Sequence, residues 1–170
     1  MKITLIAAMD SMGGIGKNGA MPWHCNEDLK HFKAYTDGKV CVMGRKTWDS
    51  LPVKPLPNRE NIILRKVGTN FNQYASIEYY GHGREIESID ALSIIEAIDC
   101  NMDSDELVII GGANIYEQFL PHATHMVLTH INGEYGCDTF FPEFNKNDWT
   151  LTGGKQLTTE VLVRYWERKQ

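Results

Sequence analysis

Apolar residues alternate at Ile3, Leu5 and Ala7 in "MKITLIAAM", a period of two that predicts a first strand. After a glycine-rich loop, residues 27–36 place apolar side chains at helical spacing and predict a short helix, with Asn26 as its N-cap. "KVCVMG" is an unbroken apolar run of strand length. "RKTWDSL" follows as a helical turn closed by the proline-rich "PVKPLPNR", and "ENIILRK" is another strand running into an irregular polar stretch. Ile89, Leu92, Ile95 and Ala97/Ile98 in "SIDALSIIEAID" have helical periodicity. "ELVIIGG" is a third apolar strand, "ANIYEQFLP" a helix stopped by Pro121, and "HMVLTHI" a strand again. "WTLTGGKQLTTEVLVRYWERK" reads as two alternating strands, antiparallel in character and joined by a turn or bulge. Strand and helix alternate until this all-strand tail, so a mixed α/β sheet is expected. No repeat, low-complexity segment or long linker divides the chain, which makes residues 1–170 one expected domain.

Composition narrows the partners. The 170 residues are 42% apolar, enough for a sizeable core. A formal net charge of −5 argues against a general nucleic-acid binder or a cationic membrane-surface protein. Cys25, Cys41, Cys100 and Cys137 are far apart with no CxxC or Cys/His pairing, so they read as thiols of a reducing cytosol and no metal is expected. No apolar run approaches the roughly 20 residues of a membrane span, and the opening strand lacks the core and cleavage region of a signal peptide. A cytoplasmic protein with no membrane partner is expected.

Open α/β sheets bind ligands at the carboxyl ends of their strands. After "VCVMG" come Arg45, Lys46 and Thr47 at a helix start, where a positive pair opposes the helix dipole unless an anion lies nearby. After "NIIL" stand Arg65 and Lys66. After "ELVII" stand Gly111 and Gly112, which let a backbone approach a ligand closely before the helix that starts near Asn114. Singly these are surface cations and a tight turn. Jointly, at successive strand ends of an acidic chain, they suit a nucleotide with an extra phosphate, though not on the GxGxxG fingerprint of a standard dinucleotide-binding domain.

Asp28 shares a helix face with Phe32 and Tyr35, with Leu29 beside it. By position alone a first-turn acid needs no ligand, since the helix dipole favours it by about 0.3–1 kcal/mol. A carboxylate on an apolar wall nevertheless wants a hydrogen-bonding partner, and a flat heterocycle with adjacent ring N–H and amino donors supplies a bidentate one. Arg59 in "LPNRENIIL" is a cation able to fork onto a ligand carboxylate, or else a surface arginine; Thr129 is a hydroxyl partner for Asp28, or else an ordinary strand threonine. The scattered histidines form no Ser/His/Asp or metal constellation.

In order and spacing, "LIAAM", "IGKNGAMPWHCNEDLKHFK", "VMGRKTW", "LPNRENIIL", "IIGGANIYEQFLPHA", "LTHI" and "DTFFPEF" resemble the bacterial dihydrofolate reductase family over almost the whole chain. The resemblance implies a single-domain, eight-stranded mixed, mostly parallel sheet with flanking helices. It implies NADPH-dependent reduction of 7,8-dihydrofolate to tetrahydrofolate for one-carbon metabolism, by a monomer of a family that antifolates such as trimethoprim target. Carried over by position, Asp28 holds the pterin N3 and 2-amino group with Thr129 tied to it. Ile6 and Ile110 floor the pocket, Leu29, Phe32, Leu51 and Leu56 grip the rings, Arg59 takes the glutamate α-carboxylate, and Tyr116 touches both ligands. Met21 and Trp23 join Asp28 and Thr129 in the catalytic set. The cofactor contacts implied are Ala8, the loop residues Ile15, Gly16, Gly19 and Ala20, then Gly44, Arg45, Lys46 and Thr47. They continue with Leu64, Arg65 and Lys66, and with Gly111, Gly112, Ala113, Asn114, Ile115, Tyr116 and Gln118, the Gly111–Gly112 peptide being cis.

The loop from Met9 to Trp23 is implied as a lid, latched by Asp138. The basic Arg65–Lys66 pair favours NADPH over NADH. Gly13 and Gly14 stand where relatives commonly carry bulkier residues, "SLPVKPLPNR" is one residue longer than a common bacterial version, and residues 67–87 do not align cleanly. Two other readings stay open: a same-fold NADPH reductase of the riboflavin pathway, against which Asp28 paired with Arg59 argues, and a silent nucleotide-binding protein.

Overall fold

The computed structural model describes residues 1–66, 74–80, 91–101 and 104–170. The chain forms β1 (Lys2–Met9), β2 (Gly14–Gly16), α1 (Asn26–Thr36), β3 (Val40–Gly44), α2 (Arg45–Ser50), β4 (Glu60–Lys66) and β5 (Tyr74–Tyr80). It continues with α3 (Ala91–Asn101), β6 (Glu106–Gly111), α4 (Ala113–Phe119), β7 (His125–Ile131), β8 (Thr139–Phe140), β9 (Trp149–Thr158) and β10 (Val161–Arg168). Eight strands make one mixed sheet in the order β5-β4-β3-β6-β1-β7-β10-β9, as expected of the α/β class. The pairings from β4 across to β7 are parallel, and β5, β10 and β9 add antiparallel at the flanks. β2 and β8 pair separately in a two-stranded sheet.

The parallel centre explains the apolar runs. Strands covered on both faces need apolar residues at successive positions, not alternate ones. β1 shows it: Thr4 and Ile6, outside the Ile3–Leu5–Ala7 alternation, are as buried as the residues in it. On one face Leu5, Ala7, Val42 and Ile109 pack with Ile94 and Ile98 of α3 and with Ile115 and Phe119 of α4. On the other, Ile6, Met43, Val108 and Ile110 pack with Trp48 of α2, and Phe32 and Tyr35 of α1 lie against them.

Three local expectations are corrected. The cap of α1 is Cys25, not Asn26: Cys25 holds the extended conformation a cap needs (φ −134°, ψ 102°) and its Sγ accepts the Asp28 N–H at 3.4 Å, while Asn26 is already helical. The polar stretch after β4 contains β5, which pairs antiparallel with β4. The segments "GIG" and "TF" form the β2–β8 pairing, too short for any periodicity to announce. Ile89 and most of "YYGHGRE" lie outside the described residues.

At the amino ends of β1 and β6, Glu106 gathers a polar cluster. Its carboxylate accepts the Thr4 hydroxyl at 2.6 Å and the Tyr35 hydroxyl at 2.7 Å, and pairs with Lys39 at 2.7 Å and Lys2 at 3.1 Å. Burial pushes its pKa up, but Lys39, Thr4, Tyr35 and Lys2 outweigh this and pull it from 4.5 to about 2. A depressed carboxylate stabilises the fold above its unfolded pKa and loses that contribution as pH falls, here between 4.5 and about 2. Glu106→Gln is expected to cost roughly 3 kcal/mol at neutral pH and to flatten the acid limb of stability, as measured by denaturant unfolding over a pH series.

Candidate active site

Parallel pairing sets the carboxyl ends of β1, β3, β6 and β7 along one edge of the sheet, and the chemistry-bearing residues collect there. Asp28, in the first turn of α1, is only 8% exposed. The buried Thr129 of β7 donates its hydroxyl to the Asp28 carboxylate. Burial raises the Asp28 pKa, and the Thr129 hydrogen bond and the nearby His31 oppose that rise. A carboxylate has about four acceptor positions, so Thr129 leaves room for two parallel N–H donors from a flat ligand.

The apolar wall behind it joins residues distant in sequence. Ile6, Trp48 and Ile110 are in one cluster, with Phe32, Leu51 and Leu56 packed against it. Leu29 stays outside, 43% exposed. At the α1 end of the proline-rich loop, Arg59 is half-buried and held by three hydrogen bonds: Nε donates to Thr36 Oγ1 at 2.8 Å, Nη1 to Pro57 O at 3.0 Å and Nη2 to Lys33 O at 3.1 Å. A guanidinium has five N–H donors, so one remains on each terminal nitrogen, the pair a carboxylate accepts side by side. Lys54 donates to Asp49 O at 2.9 Å.

Two supports were not visible in the sequence. Thr36, wholly buried, accepts from Arg59 and donates to Phe32 O at 2.8 Å. Asn61, also wholly buried, ties down the loop before β4 by donating to Leu56 O and Arg59 O and accepting from Leu56 N. The one available signal was a polar residue opening an otherwise apolar strand.

The expected cofactor residues meet at the neighbouring ends of β3 and β6. The Gly111–Gly112 peptide is cis, and Gly111 has φ +119°. A Cβ on Gly111 would come within 3.1 Å of the Tyr116 hydroxyl, and one on Gly44 within 3.0 Å of Ile115 Cγ1. These glycines let the two strand ends and the starts of α2 and α4 crowd together. Gly44 and Gly112 are the caps of α2 and α4, and neither start has a side-chain cap hydrogen bond. Arg45 and Lys46 are exposed there, with Arg45 Nε 2.9 Å from Asp49. Thr47, Ala113 and Asn114 are half-buried, and Gln118 donates to Asn114 at 2.8 Å.

Other expected contacts are turned inward. Leu64 and Ile115 are core side chains. Tyr116 packs against Phe141 at 5.0 Å between ring centres and donates its hydroxyl to Ile6 O at 2.6 Å. Arg65 and Lys66 end β4, and their side chains lie outside the described residues. Ala8 of β1 pairs with Thr129 of β7.

The loop from Met9 to Trp23 carries Ile15, half-buried against the core, then Gly16 and the exposed Gly19 and Ala20. Asp138 Oδ2 accepts the Asn18 N–H at 2.8 Å, and the Asp138 N–H donates to Gly16 O at 3.0 Å. The Asn18 hydrogen bond holds the Asp138 carboxyl below its usual range. Met21 is half exposed, and Trp23 stands edge-on to Tyr135 with ring centres 5.4 Å apart. Among the described residues no group of three or more His, Cys, Asp or Glu side chains could hold a metal ion, and no helix is long and apolar enough to cross a membrane.

The profile of the dihydrofolate reductase family matches residues 2–165. Dihydrofolate reductase of Neisseria meningitidis serogroup A is 43% identical over 149 residues, 88% of this chain and 84% of the relative. That of Bacillus subtilis is 34% identical over 163 residues, 96% of this chain and 89% of the relative. Among solved structures, dihydrofolate reductase from Enterococcus faecalis, complexed with NADP(H) and RAB-propyl, superposes with a TM-score of 0.77 at 25% identity. That match covers 99% of this chain and 97% of the other.

Proposed function

The chain belongs to the dihydrofolate reductase family, and on that ground we propose how its own residues carry out the NADPH-dependent reduction of 7,8-dihydrofolate to tetrahydrofolate. The observation that carries the assignment of roles is the buried Asp28–Thr129 pair on an apolar wall that ends at the three-point-held Arg59. The carboxylate takes the pterin N3 and 2-amino donors, Ile6, Ile110, Phe32, Leu51 and Leu56 enclose the rings, and the free edge of Arg59 takes the glutamate α-carboxylate.

The residues at the β3 and β6 ends fit a dinucleotide phosphate: glycines that admit close backbone approach, two helix starts without side-chain caps, and the exposed Arg45 and Lys46. When bound, NADPH supplies hydride from its nicotinamide C4 to pterin C6. Asp28 polarises and orients the pterin, and a water admitted under Met21 brings the proton to N5. The loop from Met9 to Trp23 excludes bulk water during transfer and opens for product. The proposal extends to a single-domain monomer acting in the cytoplasm and inhibited by trimethoprim. NADPH oxidation that depends on added dihydrofolate, and falls with trimethoprim, is the expected result; oxidation indifferent to dihydrofolate, or none, overturns the reading.

The latch has its own outcome. Asp138→Ala removes the acceptor of the Asn18 N–H and is expected to slow hydride transfer roughly tenfold, with little change in dihydrofolate affinity. Stopped-flow traces equal to wild type would refute it.

A further inference from the structure

Asp10, one residue beyond β1, has a buried carboxylate that makes hydrogen bonds to both ends of the lid's support. Oδ1 accepts the Met12 N–H at 2.9 Å and the Gly14 N–H at 2.8 Å, inside the lid. Oδ2 accepts the Tyr135 N–H at 3.2 Å and the Cys137 thiol at 3.4 Å, in the loop that presents Asp138. Four donors on two oxygens match the acceptor capacity of an ionised carboxylate, and no other side chain of this size offers it.

The surroundings are built to the same joint. A Cβ on Gly14 would collide with Cys137 Cβ and Sγ and would reach 3.0 Å from Asp10 Oδ1, so the glycine makes way for the thiol. Ser11 N–H donates to Gly133 O at 2.9 Å, and Gly133 N–H donates back to Ser11 Oγ at 3.0 Å. Beyond the joint, the loops touch again through Phe141 N–H to Gly13 O at 3.0 Å and through the Asp138–Asn18 bond.

We propose that Asp10 is a positioning residue for hydride transfer: its carboxylate fixes the lid to the loop of residues 132–138, so that Asp138 stands where it can latch Asn18. This rests on the hydride-transfer reading above. All four partners of the Asp10 carboxylate belong to the lid and the loop beside it, so it acts on the lid geometry and not on substrate affinity. Asn at this position keeps the volume but replaces two acceptor positions with N–H donors that face the Tyr135 N–H and the thiol, or the Met12 and Gly14 N–H groups.

The test is single-turnover hydride transfer in Asp10→Asn, Asp138→Ala and the double variant. Asp10→Asn is expected to slow transfer about tenfold or more with KM for dihydrofolate within about threefold, and the double variant to be little slower than the slower single one, because both losses act on one latch. Fully multiplicative losses, or a KM rise matching the fall in kcat, overturn the proposal. Should Asp10→Asn not fold, Cys137→Ala and Cys137→Ser take its place: serine, which keeps a donor to Oδ2, retains more of the rate than alanine, and equal rates overturn the proposal. Amide exchange at Asn18 separates the two readings. It is expected to quicken about tenfold in Asp10→Asn even if the wild-type chain transfers no hydride, and unchanged exchange overturns the Asp10 proposal alone.

Discussion

Asp28→Asn is expected to lower turnover by about 10²- to 10⁴-fold near neutral pH, the range that a positioned proton-transfer group contributes, and to recover part of that loss at low pH. Asparagine keeps the shape and the Thr129 contact but presents no charge to polarise the pterin and only one carbonyl oxygen to its paired donors. At low pH the solution supplies protons to N5 more readily, so the missing charge matters less. Stability moves the other way. The Asp28 pKa is raised above its unfolded value, chiefly by burial, so the stabilising contribution of the neutral acid is full below about pH 3.8 and is lost as pH rises through the folded value. At neutral pH the buried charge is therefore a cost, and removing it leaves the melting temperature equal or higher. A falling melting temperature would assign the activity loss to unfolding, and an unchanged rate and pH profile would remove Asp28 from the mechanism.

Asp28 also shows where the sequence informs and where it stops. Its place beside Leu29 and Phe32 signalled an acid on an apolar wall, yet spacing alone left a helix-start charge as the simpler account. What separates the two is Thr129, 101 positions away, and a contact of that reach has no local signature. The same holds at the other end of the pocket: Arg59 stood out as a cation after prolines, whereas the buried Thr36 that holds it read as the last residue of a helix. Asp10 follows the first strand with no signal of its own in the sequence, because its four donors come from two loops that only the fold brings together.

Elements followed the same rule. β3 and β6 were legible because burial on both faces forces an unbroken apolar run, and strand ends pointed to ligand positions because parallel strands share an edge. β5 joined by pairing along β4 from a polar segment, and β2 and β8 by pairing with each other. The α1 cap was misplaced because a thiol is not among the side chains that usually fill that position, although Cys25 Sγ can accept a hydrogen bond as an Asn or Ser oxygen does.

Replacing Arg59 separates the tail of the substrate from its rings. Arg59→Leu is expected to raise KM for dihydrofolate about 100-fold, since two charge-assisted hydrogen bonds are each worth about 1.5–3 kcal/mol and part of that is regained by solvation of the free carboxylate. A 7,8-dihydropterin without the glutamate tail should show no such change, because Asp28 and the apolar wall proposed to hold its rings are untouched. Lysine should not rescue the loss. The guanidinium spends three donors on Thr36, Pro57 and Lys33 and still offers a parallel pair, whereas a single ammonium has three donors in all and no planar edge. Steady-state kinetics on both substrates is the check: an equal rise for the tailless pterin would make Arg59 a prop of the loop and α1, and no rise for dihydrofolate would place the carboxylate elsewhere. Because a same-fold reductase acting on a pyrimidine has no glutamate to hold, the split between the two substrates also separates the dihydrofolate reading from that alternative.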